Sequence, residues 1–322
     1  MFQTFQVVDF LSSVWSHIYY KGATITLPNR HLPNQIVHLT RRTSQRQFLL
    51  RPDKKGLTKN DIGYLFALSC LRHNQTPHAL TLMSNHHHIC MSDNNGNRSD
   101  FLRDFHHLTT KVVNRALNRR ESLWSSSASG NTLLLDTDTV INAMVYGWLN
   151  HFQAGLVAKV CDWGHLQILP SDWGTIMTFK RPAFFKAKGE DQNYPETIEF
   201  KPMPPSMFER LALPEVIAFF EKKIEQGENR IREERKKEGK PKAMGMKKCF
   251  ALNPFSCPEE LSPRSLRNPR FASAVVASVA MAVEGMKAFW REYKAKLEAF
   301  RQGSKAKFPS GTVRMFHVFS VL

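Results

Sequence analysis

The chain has 322 residues, 42% hydrophobic and 23% charged, a size and balance that exclude a single small module and a wholly disordered or fibrous chain. Its 45 Lys and Arg against 28 Asp and Glu leave a net charge of +17, a positive field that favours polyanionic partners, nucleic acid first and a membrane surface second. Five scattered cysteines without a CxxC pair exclude the usual zinc and disulfide frameworks and fit a reducing, cytoplasmic compartment.

Residues 1–34 read as an N-terminal extension. They have no basic stretch ahead of an apolar one and carry Asp9, so they fail as a secretory signal. A strand is predicted over 35–41 and a helix over 59–72, where Ile62, Leu65, Phe66 and Ser69 share one face. Strands over 78–83 and 86–91 are separated only by Ser84 and Asn85, which predicts a hairpin. After the break at Asn94-Asn95-Gly96-Asn97, a helix is expected over 99–120, with Phe101, Phe105, Leu108 and Val112 near one face and Asp100 and Asp104 early. A fourth strand fits within 125–135, and Asp136 or Asp138 caps a further helix that runs to about residue 150. The order βαββαβ followed by a helix predicts an α+β domain over 35–175, a ferredoxin-like split βαβ arrangement with an antiparallel sheet and helices on one face.

Residues 176–322 carry the larger share of the positive surplus and proline-rich loops at 201–205 and 254–263. A long charged helix over 206–238, interrupted near Pro214, and another over 271–302 predict a basic, mainly helical C-terminal region. The longest apolar run, 271–283, falls short of the roughly 20 residues that span a bilayer, so no membrane segment is expected.

Side chains alternate along a strand, so in Asn85-His86-His87-His88 the first and third histidines share a face and His87 points away. Two neutral imidazoles are half of a divalent-metal site, although a strand also carries such pairs as bystanders. Tyr146 and Asn150 lie one helical turn apart on the helix that follows. A phenol with a pKa of about 10 needs a base or a metal before it acts as a nucleophile; otherwise Tyr146 is one more core aromatic beside Val145 and Trp148. Candidate nucleic-acid contacts are Arg41, Arg42 and Arg46 after the first strand, and Lys111, Arg115, Arg119 and Arg120 along the second helix. Solvated helix ends carry such charges as well. The stretch 236–248 is a candidate for tracking a phosphate backbone, and Phe250, Phe255 and Trp290 either stack on bases or pack in the core. His106 and His107, inside a helix, are given no role.

The segments SNHHHIC at 84–90 and YGWLNHFQAGLV at 146–157 resemble the single-tyrosine HUH endonucleases, in particular the REP-associated tyrosine transposases, and the likeness runs from Gln35 to Trp163. It implies that His86, His88 and Asn150 hold Mg²⁺ or Mn²⁺ and that Tyr146 attacks a phosphodiester of single-stranded or hairpin DNA to form a 5′-phosphotyrosine. Ser262-Pro263-Arg264 and the ending Phe308 to Thr312 are similar to the tails of longer relatives. The chain departs from the pattern at His87, where a hydrophobic residue is usual, and at His151-Phe152, where Pro-Val usually follows the asparagine. No GxxxxGK[ST] phosphate loop is present, as expected of strand transfer that conserves the phosphodiester energy. Two other readings stay open: a catalytically weakened nucleic-acid-binding protein derived from such a transposase, and an unrelated metal-dependent hydrolase.

Overall fold

Strand β1 (Gln35–Arg42) alternates buried Val37 and Leu39 with half-buried His38 and Thr40, and it lies inside a six-stranded sheet. The structure, a computed structural model, describes residues 27–51, 57–127, 129–183, 193–258 and 269–312. The readings made for residues 1–26 and for Ser262-Pro263-Arg264 fall outside these.

Helix α1 (Lys59–Arg72) opens on a reciprocal cap: Asp61 N donates to Thr58 Oγ1 at 3.2 Å and Thr58 N donates to Asp61 Oδ2 at 2.9 Å. Strands β2 (Gln75–Leu82) and β3 (His86–Asp93) form the expected hairpin, closed by Met83 N donating to His86 O at 2.8 Å. Helix α2 (Arg98–Ala116) and strand β4 (Gly130–Leu134) follow, both shorter than their patterns predict. Helix α3 (Thr137–Gln153) is capped by Asp136, whose carboxylate accepts from Thr139 N at 2.8 Å. The remaining elements of the sheet are β5 (Gln167–Ile168) and β8 (Phe271–Ala272).

The strand order is β5-β2-β3-β1-β4-β8, so β1 and β2 run the same way with β3 antiparallel between them. The expected antiparallel sheet is in fact mixed, because β8 joins β4 in parallel. The expectation of helices on one face is also corrected. Leu39, Leu80, Leu82, Ile89 and Met91 bury against α1 and α2, while Ala79 and Cys90 on the other face pack with Met144 and Trp148 of α3 and Phe220 of α4 (Leu213–Lys237). A two-face sheet needs two apolar helix layers, and the stripe of Val216, Phe220 and Ile231 supplies the outer part of the second.

The region after residue 176 is less uniformly helical than expected. Strands β6 (Met177–Lys180) and β7 (Thr197–Phe200) pair and cover the outer side of α1, so that helix is buried nearly all round. Gly63 permits their approach, since a Cβ there would lie 2.2 Å from the Phe179 ring. The helix expected to be interrupted near Pro214 begins there instead, with the proline in its first turn, where a missing N–H costs nothing. The helix predicted from residue 271 starts later: Phe271 and Ala272 take the strand pairing, α5 (Met246–Ala251) precedes them, and α6 (Val276–Arg301) follows.

By internal contacts the larger unit is Leu32–Val279, and among the described residues it holds every strand. In the smaller unit, within Met1–His31 and Ala280–Leu322, buried Phe308 packs on Tyr293 and Phe300 of α6, and Trp290 Nε1 donates to Pro28 O at 2.9 Å. Gly311 has φ 94° and leaves room for Arg30 and His31, whose N–H donates to its carbonyl at 3.1 Å. Among the described residues no helix is long and apolar enough to cross a membrane.

Candidate active site

The register of β1 against β3 sets Thr40 opposite His88 and Arg42 opposite His86, so His38, Thr40, Arg42, His86 and His88 share the sheet face that α3 covers. The roll of α3 is fixed by Trp148, which is fully buried and donates from Nε1 to Ile168 O at 2.6 Å. With Met144, Trp148 and Phe152 turned inward, Tyr146 is left 49% exposed, which removes the core-aromatic reading. At Gly147 a Cβ would come within 3.4 Å of His88 Cβ, so helix and strand approach closely at that point.

Four of the residues singled out in the sequence therefore meet. The Tyr146 ring stands edge-on to His88 with centroids 5.4 Å apart, and the rings of His86 and His88 are 4.9 Å apart. His86 Nε2 faces Asn150 Oδ1 at 3.2 Å. Sequence reasoning missed a fifth member, His38, which stacks on His88 at 5.2 Å and places its Nε2 3.1 Å from His88 Nδ1. The only sequence signal for it was that His38 and Arg42 lie on one face of a strand.

Burial pushes the imidazoles of His38 and His86 down to about 4, the latter helped by the Arg42 cation and opposed by its contact with Asn150. Burial, then the neighbouring histidines and Arg42, holds His88 well below the usual imidazole range. All three rings are neutral near pH 7, the form that ligates metals.

Asn85 Nδ2 donates to Arg46 O at 3.1 Å, which turns Asn85 Oδ1 to accept from His86 Nδ1 at 2.7 Å. The His86 proton is thereby placed on Nδ1, and the lone pair on Nε2 confronts the carbonyl oxygen of Asn150. Two acceptors face each other with no proton between them, and His88 Nε2 is buried without a hydrogen-bond partner. This donor set fits a cation. No three His, Cys, Asp or Glu side chains form a metal-sized cluster among the described residues, so the set consists of two imidazoles and one amide.

The predicted DNA contacts are divided by the sheet. Arg42 is exposed beside His86, and Arg46 contributes the carbonyl that holds Asn85. Arg41 points to the opposite face, where it donates to His106 Nδ1 at 3.1 Å and lies over the Trp124 ring. Lys111 and Arg115 are exposed on α2, also on that opposite face, and Arg119 follows the helix, with its N–H on Asn114 O. The fully buried His87 shares this layer and bonds through Nε2 to His106 Nε2 at 2.9 Å.

No protein-family model matches the chain, and no curated protein sequence does. Among solved structures, the chain is similar to a REP-associated tyrosine transposase bound to a REP hairpin: at 14% identity the match covers 46% of this chain and 84% of that one, with a TM-score of 0.37.

Proposed function

We propose that the protein is a metal-dependent endonuclease and strand transferase for single-stranded, hairpin-flanked DNA, with Tyr146 as its nucleophile. The observation that carries this reading is a half-exposed tyrosine held edge-on to the buried His88, whose ring meets that of half-buried His86, one helical turn before the asparagine whose oxygen faces His86. The position of β1 and β2 on either side of β3 supports the split βαβ reading of the domain.

In the reaction, the phenolic oxygen of Tyr146 bonds to phosphorus as the bond from phosphorus to the 3′ oxygen breaks. The phenol loses its proton to solvent, and the departing oxygen gains one to become a 3′-OH. His86, His88 and Asn150 would hold Mg²⁺ or Mn²⁺, which supplies positive charge at the phosphodiester when bound. Asn85 and His38 orient the two imidazoles from their Nδ1 sides, and α3 delivers the tyrosine from the open edge of the site. Reversal by another 3′-OH rejoins strands without a nucleotide cofactor.

The test is Tyr146→Phe assayed on labelled single-stranded DNA with a hairpin. We expect loss of cleavage and of the denaturant-resistant protein–DNA adduct, with binding retained. Cleavage without an adduct would instead support a hydrolase that activates water.

A further inference from the structure

The residues between α4 and position 256 take no part in that reaction, yet hydrogen bonds tie them both to the end of α3 and to the corner that follows β1. At one end, Met244 N and Gly245 N donate to Gly155 O and Leu156 O at 2.8 and 2.9 Å, just beyond α3. Arg235 Nη1 donates to Gln153 O at 3.2 Å in the same place. At the other end, Phe48 N donates to Ser256 O at 3.0 Å, Gln47 Nε2 to Phe255 O at 3.1 Å, and Arg51 Nη1 to Phe250 O at 2.6 Å. Gln47 belongs to the corner in which Thr43 and Arg46 hold Asn85, the residue that orients His86.

Residues 242–256 thus form a strap from the end of the tyrosine helix to the corner beside the metal-ligand pair. Its underside is anchored: Cys249 and Met246 pack with Val157 and Trp163, and Trp163 Nε1 donates to Leu82 O at the end of β2. Its outer side is basic. From Arg230 to Lys248 nine basic residues face three acidic ones. Arg230, Arg232 and Lys240 have carboxylate neighbours, whereas Lys242, Lys247 and Lys248 are exposed with no ion pair among the described residues. Beyond them Phe255 stands 48% exposed, in a turn where its N–H donates to Asn253 Oδ1 and Ser256 N–H to Asn253 O.

We infer that this strap is a binding lane for the single-stranded DNA that flanks the phosphate at Tyr146, with its lysines on backbone phosphates and Phe255 against an unstacked base. The inference rests on the reading of Tyr146 given above. Lysines alone would serve any polyanion. The exposed ring selects among them, because a base in a duplex has both faces covered by its neighbours, whereas a free strand offers one for stacking. The anchored underside further suits a surface that holds a strand in one direction relative to the site.

The test uses the full chain, with divalent ions chelated, in anisotropy titrations of a labelled single strand and of its duplex over a salt series. Parent protein is compared with the triple variant Lys242→Ala, Lys247→Ala, Lys248→Ala and with Phe255→Ala. Each phosphate contact on a single strand contributes about 0.7 to the log–log salt slope, so the triple variant is expected to flatten it by about 2. Phe255→Ala is expected to weaken single-strand binding by about 5- to 150-fold, the range of one stacked base, and to leave duplex binding unchanged. An unchanged slope in the triple variant, or equal losses on duplex and single strand, overturns the lane. A separate cleavage assay on the parent protein keeps the two readings apart. If the parent cleaves and the slope does not move, the lane alone fails; if it never cleaves and the slope moves as expected, the tyrosine reading fails and the lane stands.

Discussion

Acidification should unfold this protein well before its carboxylates are protonated. Burial pushes His38, His78, His86 and His151 down to about 4 and His87 and His165 to about 3, and it holds His88 and His106 well below the usual range. In the unfolded chain each imidazole takes up its proton near pH 6.5, whereas the folded protein refuses it until the pH is far lower. The unfolded state therefore binds more protons, and the stability that these groups contribute is complete above pH 6.5 and lost as the pH falls from there toward 4. At pH 6.5 each unfolded histidine is half protonated, so unfolding takes up about four protons and stability changes by about 5 kcal/mol per pH unit. From pH 7 to 5.5 each site costs roughly 1.2 kcal/mol, and together they reach about 10 kcal/mol, comparable to the whole stability of an ordinary domain. The magnitude depends on the unfolded titration and requires only that the folded imidazoles stay neutral over this range. Urea unfolding at fixed pH values between 5.5 and 8, followed by circular dichroism and tryptophan fluorescence, gives the proton uptake from the slope of stability against pH. An uptake below two protons at pH 6.5 would refute the argument that these rings are buried and neutral.

Removing the carboxylate of Asp93 leaves the buried Arg98 guanidinium, now 3.0 Å from it, without its counter-charge, and also strips acceptors from Asn97 N and Gln75 Nε2. Asp93→Ala should cost about 3–5 kcal/mol in the same urea assay at pH 8. Gly63→Ala would drive a methyl group into the Phe179 ring and should cost about 1–3 kcal/mol, with protease nicking between β6 and β7 as a local readout. His38→Ala should weaken Mn²⁺ binding by about 10- to 100-fold, measured by calorimetry on the metal-free chain, because His88 loses the partner on its Nδ1. Unaltered Mn²⁺ affinity would mean that His38 only fills space.

The sequence was most legible where local chemistry and pattern agree. Helix α1 has the bounds its pattern predicts, and Thr58 and Asp61 supply the start signal. Strands β6 and β7 were missed because each has four residues and no short turn joins them; they exist by pairing with each other over α1. Phe271 and Ala272 belong to an apolar run that reads as helix, and only the pairing with β4, together with the bond from Ala274 N to Asp136, draws the first part of that run out of α6. The second helix layer escaped for a related reason. The order βαββαβ accounts for two helices, and nothing local says which face of the sheet the third one covers.

The same limit explains what was seen and missed at the site. Alternation within one strand was enough to put His86 and His88 together, and helical spacing was enough for Tyr146 and Asn150. Placing His38 beside His88 required the register of β1 on β3, a long-range choice in which a slip of one residue would have sent His38 to the opposite face. The departure at His87 is resolved on that opposite face. Arg41 can only donate, so His106 accepts at Nδ1, carries its proton on Nε2 and gives it to His87 Nε2. Three residues that looked unrelated in the sequence, an expected phosphate contact, a helix histidine given no role and an out-of-pattern strand residue, therefore form one directed chain behind the face that bears His86 and His88. An apolar residue at 87 would leave the His106 donor buried without its acceptor, so such a substitution is tolerable here only if His106 and Arg41 change with it.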